Sequence, residues 1–373
     1  MTPTFVLLAC YFGFCGLAYG GQGVLLAEIM RALGLSIGGY GSAELAPPLV
    51  GFALLVGGAG LTVAIGKRAV AMAGLVLFAL AALLLAAASG FWSFAFSLVV
   101  LGGGYGAVEM AMNSAAMDWE QASGRQAMNL LHAVFSGGAI AGAGISGLLL
   151  ERGVAYAGIL WGFGCVCGLL LLITLMISFP PCGAVSEGGG GIRLLARADL
   201  QVLATIGMLG VVGESVANCW SVIHLRSLGA TALAGGASYA LFNAGMLLGR
   251  LMNTVVVARQ GARVSLRVSG AVVTMGGALL MTQGNLGLAV AGFALTGLGV
   301  AGIIPTVLSS AAERMPGRAA EVTGAVMGAI YLAFALCGPV VGWMAEWLSL
   351  NAAIAVVCAS GMAIPMLARK MRI

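Results

Sequence analysis

The chain has 373 residues, of which 61% are hydrophobic and 8% charged, with a formal charge of +5 and a mean hydropathy of +1.08. That balance excludes a soluble globular protein, because water cannot solvate so much apolar surface. It also argues against a disulfide-stapled secreted domain, since Cys10, Cys15, Cys165, Cys167, Cys219, Cys337 and Cys358 all lie inside apolar runs.

Apolar runs of about 20 residues recur from end to end, each long enough to cross about 30 Å of hydrocarbon as a helix. In chain order they predict spans near 4–30, 42–66, 69–89, 92–118, 127–150, 154–178, 200–225, 232–253, 264–283, 286–310, 320–345 and 351–368. The first run, FVLLACYFGFCGLAYGG, outlasts a signal-peptide core and is expected to be the first span itself. Sixty glycines would weaken helices in water, but in lipid they let helix backbones approach closely.

The basic residues give a second, independent signal. With the N-terminus inside, Lys67, Arg68, Arg125, Arg193, Arg197, Arg250, Arg259, Arg263, Arg267, Arg314, Arg318, Arg369, Lys370 and Arg372 all fall in cytoplasmic loops or the tail, 14 of the 17 Lys and Arg. Arg31, Arg152 and Arg226 are left at the opposite ends. An even number of spans with both termini cytoplasmic, in a cell inner (cytoplasmic) membrane, follows from that asymmetry. The net charge is a topology signal rather than a nucleic-acid surface, so no nucleic-acid partner is expected.

The longest polar connection, SFPPCGAVSEGGGGIRLLARAD, follows the sixth span and has the prolines, glycine run and charges of a linker. It predicts an N-terminal six-helix bundle at 1–178, a cytoplasmic linker at 179–199 and a C-terminal six-helix bundle at 200–373. SAAMDWEQASGR in span 4 and SAAERMPGR in span 10 mark the halves as repeats. A parallel repeat of this kind places a cargo site near the midplane, at the repeat interface.

Polar residues inside the spans are the candidates for function. Glu109 lies about 10 residues before the polar loop that begins at Asp118, hence roughly 15 Å deep. A charged acid there costs about 2.5 to 3.5 kcal/mol on insertion scales, so such residues usually face water-filled cavities. Desolvation favours a protonated form that can release its proton when the cavity opens. A permanently protonated Glu109 that hydrogen-bonds two helices is the structural alternative. Glu214 on span 7 is similarly deep, with Asn218 one turn on and Trp220 and His224 beyond it. Asn129, His132 and Ser136 share one face of span 5, and a His132–Glu109 couple would make a proton relay. Asn113 and Asn243 are further hydrogen-bonding candidates. Glu28 and Glu44 are expected to be interfacial. The 19 methionines and Cys165-x-Cys167 raise a soft-metal cargo such as copper, but residues two apart on a helix point to different sides and chelate poorly. No metal site or cofactor is expected.

Several stretches resemble the major facilitator superfamily. GRLMNTVVVARQGARV from Gly249 is similar to that superfamily's glycine-and-basic loop between spans 8 and 9, and GKR at Gly66 is a reduced copy in the first half. The acidic residue usual in the motif is missing from both copies, with Thr254 expected at its place in the second. AVEMAMN followed by GRQAMNLLHAVFSGGAIAG, and GESVANCWSVIHLRSLGA in span 7, resemble the fucose-permease-like branch and its unassigned bacterial relatives. The span 1 acid of that branch is replaced by Gln22 and Gly23. The resemblance implies an all-α membrane protein with twelve transmembrane helices in two pseudo-symmetric six-helix bundles, the major facilitator fold. It implies a monomeric secondary transporter, with the span 4 acid Glu109 in proton coupling. Together the residues and the resemblance predict proton coupling by Glu109, His132 and Glu214, and solute binding by Asn113, Asn129, Ser136, Asn218, Trp220 and Asn243. The expected partners are a small organic solute, protons and the lipid bilayer. A vitamin or soft-metal importer and an exporter or antiporter are the alternatives. An intramembrane enzyme finds no support in a metalloprotease pair or a serine elbow, and the absence of a P-loop signature leaves an ion or solute gradient as the energy source.

Overall fold

A computed structural model describes residues 2–125, 127–177, 179, 191–282, 284–315 and 318–371, with the side chains of 55–60, 63, 129, 191–192 and 319–320 left out. Among the described residues every regular element is helical. The chain separates into two compact units, Met1–Ser186 and Glu187–Ile373. Most of the expected linker, 180–190, lies outside the described residues.

The first unit contains α1 (Pro3–Ala32), the short α2 (Ile37–Ala43), α3 (Ala46–Ile65), α4 (Lys67–Ala86), α5 (Phe91–Ser123), α6 (Met128–Glu151) and α7 (Tyr156–Met176). The second opens with a 3-10 turn (Gly191–Ala196) and continues with α8 (Ala198–Ser227), α9 (Ala232–Gln260), α10 (Ala262–Leu280), α11 (Leu286–Val300), α12 (Ile303–Glu313), α13 (Ala319–Trp347) and α14 (Leu350–Ala368). Among the described residues, ten spans are both long and apolar enough to cross a membrane, with α11 and α12 counted as one. The 20-residue α3 and the 19-residue α10 bring the helical spans to twelve.

Two expected spans come out differently. Span 2 begins later, because Pro47 and Pro48 occupy the first turn of α3, where a missing N–H costs nothing, and the residues before it form the separate α2. Span 10 is broken at Ala301 and Gly302. Pro305 has no N–H to offer the carbonyl of Ala301, and its ring crowds that carbonyl. Gly302 permits the close approach of α9 there, since a Cβ on it would lie 2.2 Å from Cγ of Asn253.

The structure extends the internal repeat to the helix ends. Arg31–Ser36 reads RALGLS and Arg226–Thr231 reads RSLGAT. In each, the glycine turns the chain with a positive φ, +60° at Gly34 and +88° at Gly229. In each, the hydroxyl residue two positions later caps the next helix: Ser36 accepts from the Gly39 N–H and Thr231 from the Ala234 N–H. Arg31 and Arg226 are thus one repeated feature. At the other end, Gly66 and Gly261 turn with φ of +83° and +81° before Arg68 and Arg263. Arg68 donates to the carbonyls of Thr174 and Leu175 at the end of α7, and Arg263 to that of Met371 just past α14. Each guanidinium satisfies orphan carbonyls at a helix C-terminus, where the macrodipole favours positive charge.

The first unit is held by a glycine seam. A Cβ on Gly16 or Gly20 of α1 would lie 1.9 Å from the carbonyl oxygen of Phe135 or Ala139 on α6, and one on Gly142 of α6 would lie 1.9 Å from that of Leu17. Only hydrogen fits there, and backbone-to-backbone packing fixes α6 against α1.

Candidate functional site

In the first unit the site is built on α1, α5 and α6. Tyr105 of α5 donates its hydroxyl to the carbonyl of Cys15 at 3.1 Å, which pins α5 to α1. Glu109 follows one turn later on that side, close enough to Cys15 for an electrostatic interaction. It is exposed. The exposed apolar residues of α5, Trp92, Phe96, Val99 and Met117, form a different stripe, so the Glu109 opening is not the apolar outer face. His132 on α6 is also exposed, although its ring packs edge-on against Phe12 of α1 at 5.2 Å. Leu130 and Leu148 mark the opposite, apolar side of α6. Phe12 and Cys15 are three residues apart on α1, so His132 and Glu109 flank the same turn of that helix.

The remaining first-half candidates divide. Asn113 is half-buried one turn beyond Glu109, and its Oδ1 is buried without a hydrogen-bond partner among the described residues. Ser136 is buried and donates to the carbonyl of His132 in its own helix at 3.1 Å. The side chain of Asn129 lies outside the described residues. Two tyrosines escaped the sequence reading: Tyr19 packs on Tyr105 at 5.2 Å, and both are half-buried beside Glu109. The repeat could have flagged Tyr19, because it is the seventeenth residue of the 30-residue α1, as Glu214 is of the 30-residue α8.

In the second unit, Glu214 and Asn218 are half-buried on α8. Trp220 and His224 are fully buried, and the His224 ring packs on Phe293 at 6.2 Å. Neither is open to solvent here. Asn243 is 7% exposed and donates to the carbonyl of Tyr239 in α9 at 3.0 Å. Glu214 interacts electrostatically with Tyr239 and with Arg250. Arg250, counted with the loop charges although it fell inside the expected 232–253 span, lies within α9, which runs on ten residues beyond it to Gln260. Among the described residues no three His, Cys, Asp or Glu side chains gather as a metal site. Glu28 pairs with Arg31 at 2.7 Å near the C-terminal end of α1.

The motif regions are tied within each unit. Lys67, 6% exposed, forms an ion pair with Asp118 and also donates to the Ser114 carbonyl. In the second unit the cross-helix group is Asn253, which donates to Thr306 at 3.2 Å and accepts from Ser265. Thr254 is exposed and only bonds back to the Arg250 carbonyl. Asn253, not Thr254, therefore ties α9 to α10 and α12. In the second half the ion pair is replaced by neutral hydrogen bonds.

The Major Facilitator Superfamily model matches residues 8–189. An uncharacterized transporter, y4wD, of Sinorhizobium fredii is 30% identical over 255 residues, 68% of this chain and 67% of the relative. The chain belongs to the major facilitator superfamily. This superfamily member is also 28% identical over 276 residues to an uncharacterized MFS-type transporter of Yersinia pestis, covering 70% of this chain and 68% of that one. It is 26% identical over 304 residues to the membrane protein MosC of Rhizobium meliloti, covering 79% and 72%. Among solved structures, the nucleoside transporter NupG superposes with a TM-score of 0.85 at 13% identity, over 100% of this chain and 99% of that one. The Escherichia coli fucose:proton symporter FucP superposes with a TM-score of 0.63 at 17% identity, over 99% and 98%. At these identities the structures show the fold, a multi-pass membrane transporter fold.

Proposed function

We propose that this facilitator moves a small polar organic solute by alternating access, as a proton-coupled symporter, with Glu109 as the proton-linked acid and His132 as its relay partner. The two bundles, 1–178 and 200–373 around the linker, are the moving bodies, acting as a monomer in an inner membrane. The observation that carries the reading is the exposure of Glu109 on the α1-facing side of α5, away from the apolar stripe of that helix. An acid held deep in a span but open to water can take up and release a proton, whereas one sealed between helices cannot. The fold shared with a fucose:proton symporter and a nucleoside transporter supports a polar organic cargo over a metal. Glu214, Asn218, Asn243 and Asn113 are the proposed solute contacts.

Proteoliposomes loaded with candidate sugars, vitamins and organic acids test this. Glu109→Gln is expected to abolish uptake driven by a pH gradient while leaving solute exchange partly intact. Unchanged pH-driven uptake would remove Glu109 from coupling.

A further inference from the structure

α9 is divided lengthwise. Leu241, Leu248, Met252 and Val255 are exposed along one side, an apolar face suited to lipid. Tyr239, Asn243, Met246 and Arg250 run along the opposite side at spacings of four, three and four. The first three are at most 9% exposed, whereas Arg250 is exposed on this inward side. An arginine snorkelling to lipid headgroups would sit on the leucine face instead.

The register of α9 on α8 is fixed by Gly235, whose Cβ would lie 3.1 Å from Cγ1 of Val222 and 3.7 Å from Cγ of Arg226. The helices are antiparallel, so each step forward on α9 is level with a step back on α8. Asn243 to Met246 are therefore level with Glu214, and Arg250 lies about 6 to 10 Å further along, toward the Gln260 end. Among the described residues, neither the Glu214 carboxyl nor the Arg250 guanidinium has a hydrogen bond or an ion pair.

We infer that Arg250 is a solute-contacting, specificity-determining residue, and that with Glu214, Asn218, Tyr239 and Asn243 it forms a subsite for a zwitterionic solute. The solute's ammonium group meets Glu214 and its carboxylate meets Arg250. Two opposite charges held one to two turns apart are both compensated by a dipolar molecule of that length. A neutral polyol compensates neither, and a singly charged solute leaves one stranded. The guanidinium fork suits a carboxylate in particular, and the phenol and amides between the charges suit the polar middle of such a solute. The inference rests on the transporter reading and names the solute class of the same site.

The test is the thermal stability of the purified full chain in detergent. The probes are γ-aminobutyrate and ε-aminocaproate, with butylamine, butyrate and glucose as single-charge and neutral controls. At least one zwitterion is expected to stabilise the protein more than every control. Arg250→Gln should weaken that zwitterion by about tenfold without weakening butylamine, Glu214→Gln should weaken it without weakening butyrate, and Arg250→Lys should recover part of the loss. A merely structural role for Arg250 would not split the ligands by charge. Stabilisation by glucose alone, by no zwitterion, or by a zwitterion indifferent to Arg250→Gln would overturn the inference. Failure of proton coupling is read separately, in the pH-driven flux of Glu109→Gln.

Discussion

Adding one methyl group at Gly20 should separate α1 from α6. The new Cβ would lie 1.9 Å from the Ala139 carbonyl oxygen and 2.7 Å from its carbon. Carbon–oxygen contacts settle at about 3.3 Å or more, so the helices must part by about 1.4 Å. Neither atom is the far end of a flexible side chain, so no rotamer change relieves the overlap. A radial gap of 0.5–1 Å already forfeits a quarter to a half of each dispersion contact along the seam. With overpacking strain, the expected cost is about 2–4 kcal/mol. The matched controls are Gly137→Ala and Gly144→Ala on α6, where a Cβ would meet nothing within 4 Å. Those should fall within about 0.5 kcal/mol of the parent. Unfolding of purified protein by titrated sodium dodecyl sulfate in mixed micelles measures all three. Parting the helices also draws His132 away from Phe12, so Gly20→Ala should reduce transport more than the controls do. Equal costs at Gly20, Gly137 and Gly144 would refute the seam and the placement of His132 that depends on it.

The motif contacts of Lys67 and Asn253 give two further predictions in the same unfolding assay. Lys67→Met strands Asp118, whose side chain is 14% exposed, and should cost about 3 kcal/mol, while Lys67→Met with Asp118→Leu should recover most of it; additive effects would show that the pair carries no coupling. Asn253→Ala should cost about 1–3 kcal/mol through the loss of Thr306 and Ser265 as partners, while Thr254→Ala should cost under about 0.5 kcal/mol. A larger effect at Thr254 would restore it as the residue that takes the place of the motif's acid.

Much of the architecture was legible because lipid imposes a simple rule: every spanning segment must satisfy its own backbone, so apolar runs of the right length become helices. The break in span 10 was not read, although Gly302 and Pro305 were visible, because an apolar run hides a backbone discontinuity when only its length is scored. Arg250 was counted with the loop charges although the expected span ran to 253, and α9 continues to Gln260, because a helix can carry arginine wherever its inner face meets a polar opening. Within the site, counting residues set Glu109 and Glu214 far from their helix ends, and α5 and α8 carry them there. Exposure does not follow from counting. Trp220 and Asn218 are two residues apart, yet one is sealed in packing and the other is half-open, which depends on what neighbouring helices cover.

The repeat also shows that the two acids stand at non-equivalent positions of the two units. Aligning SAA at Ser114 with SAA at Ser310 puts Pro305 where the first half has Glu109, and aligning the two 30-residue helices puts Tyr19 where the second half has Glu214. Each deep acid thus has a non-acidic counterpart in the other unit. At the helix ends the repeat is kept closely, in the paired left-handed glycines, the hydroxyl caps and the arginines that close α7 and α14. Those ends set the backbone frame, which two equivalent bundles share. The deep positions are not kept in this way, and each bundle holds a different group there: Glu109 against Pro305, and Tyr19 against Glu214. The first unit carries Glu109 and His132 flanking one turn of α1, the pair proposed above for proton exchange. The second holds its acid among amides, a phenol and a guanidinium, groups that match a polar solute by shape and charge. On the proposed reading, one fold repeated twice supplies two chemically distinct groups of side chains, one suited to a proton and one to a polar solute.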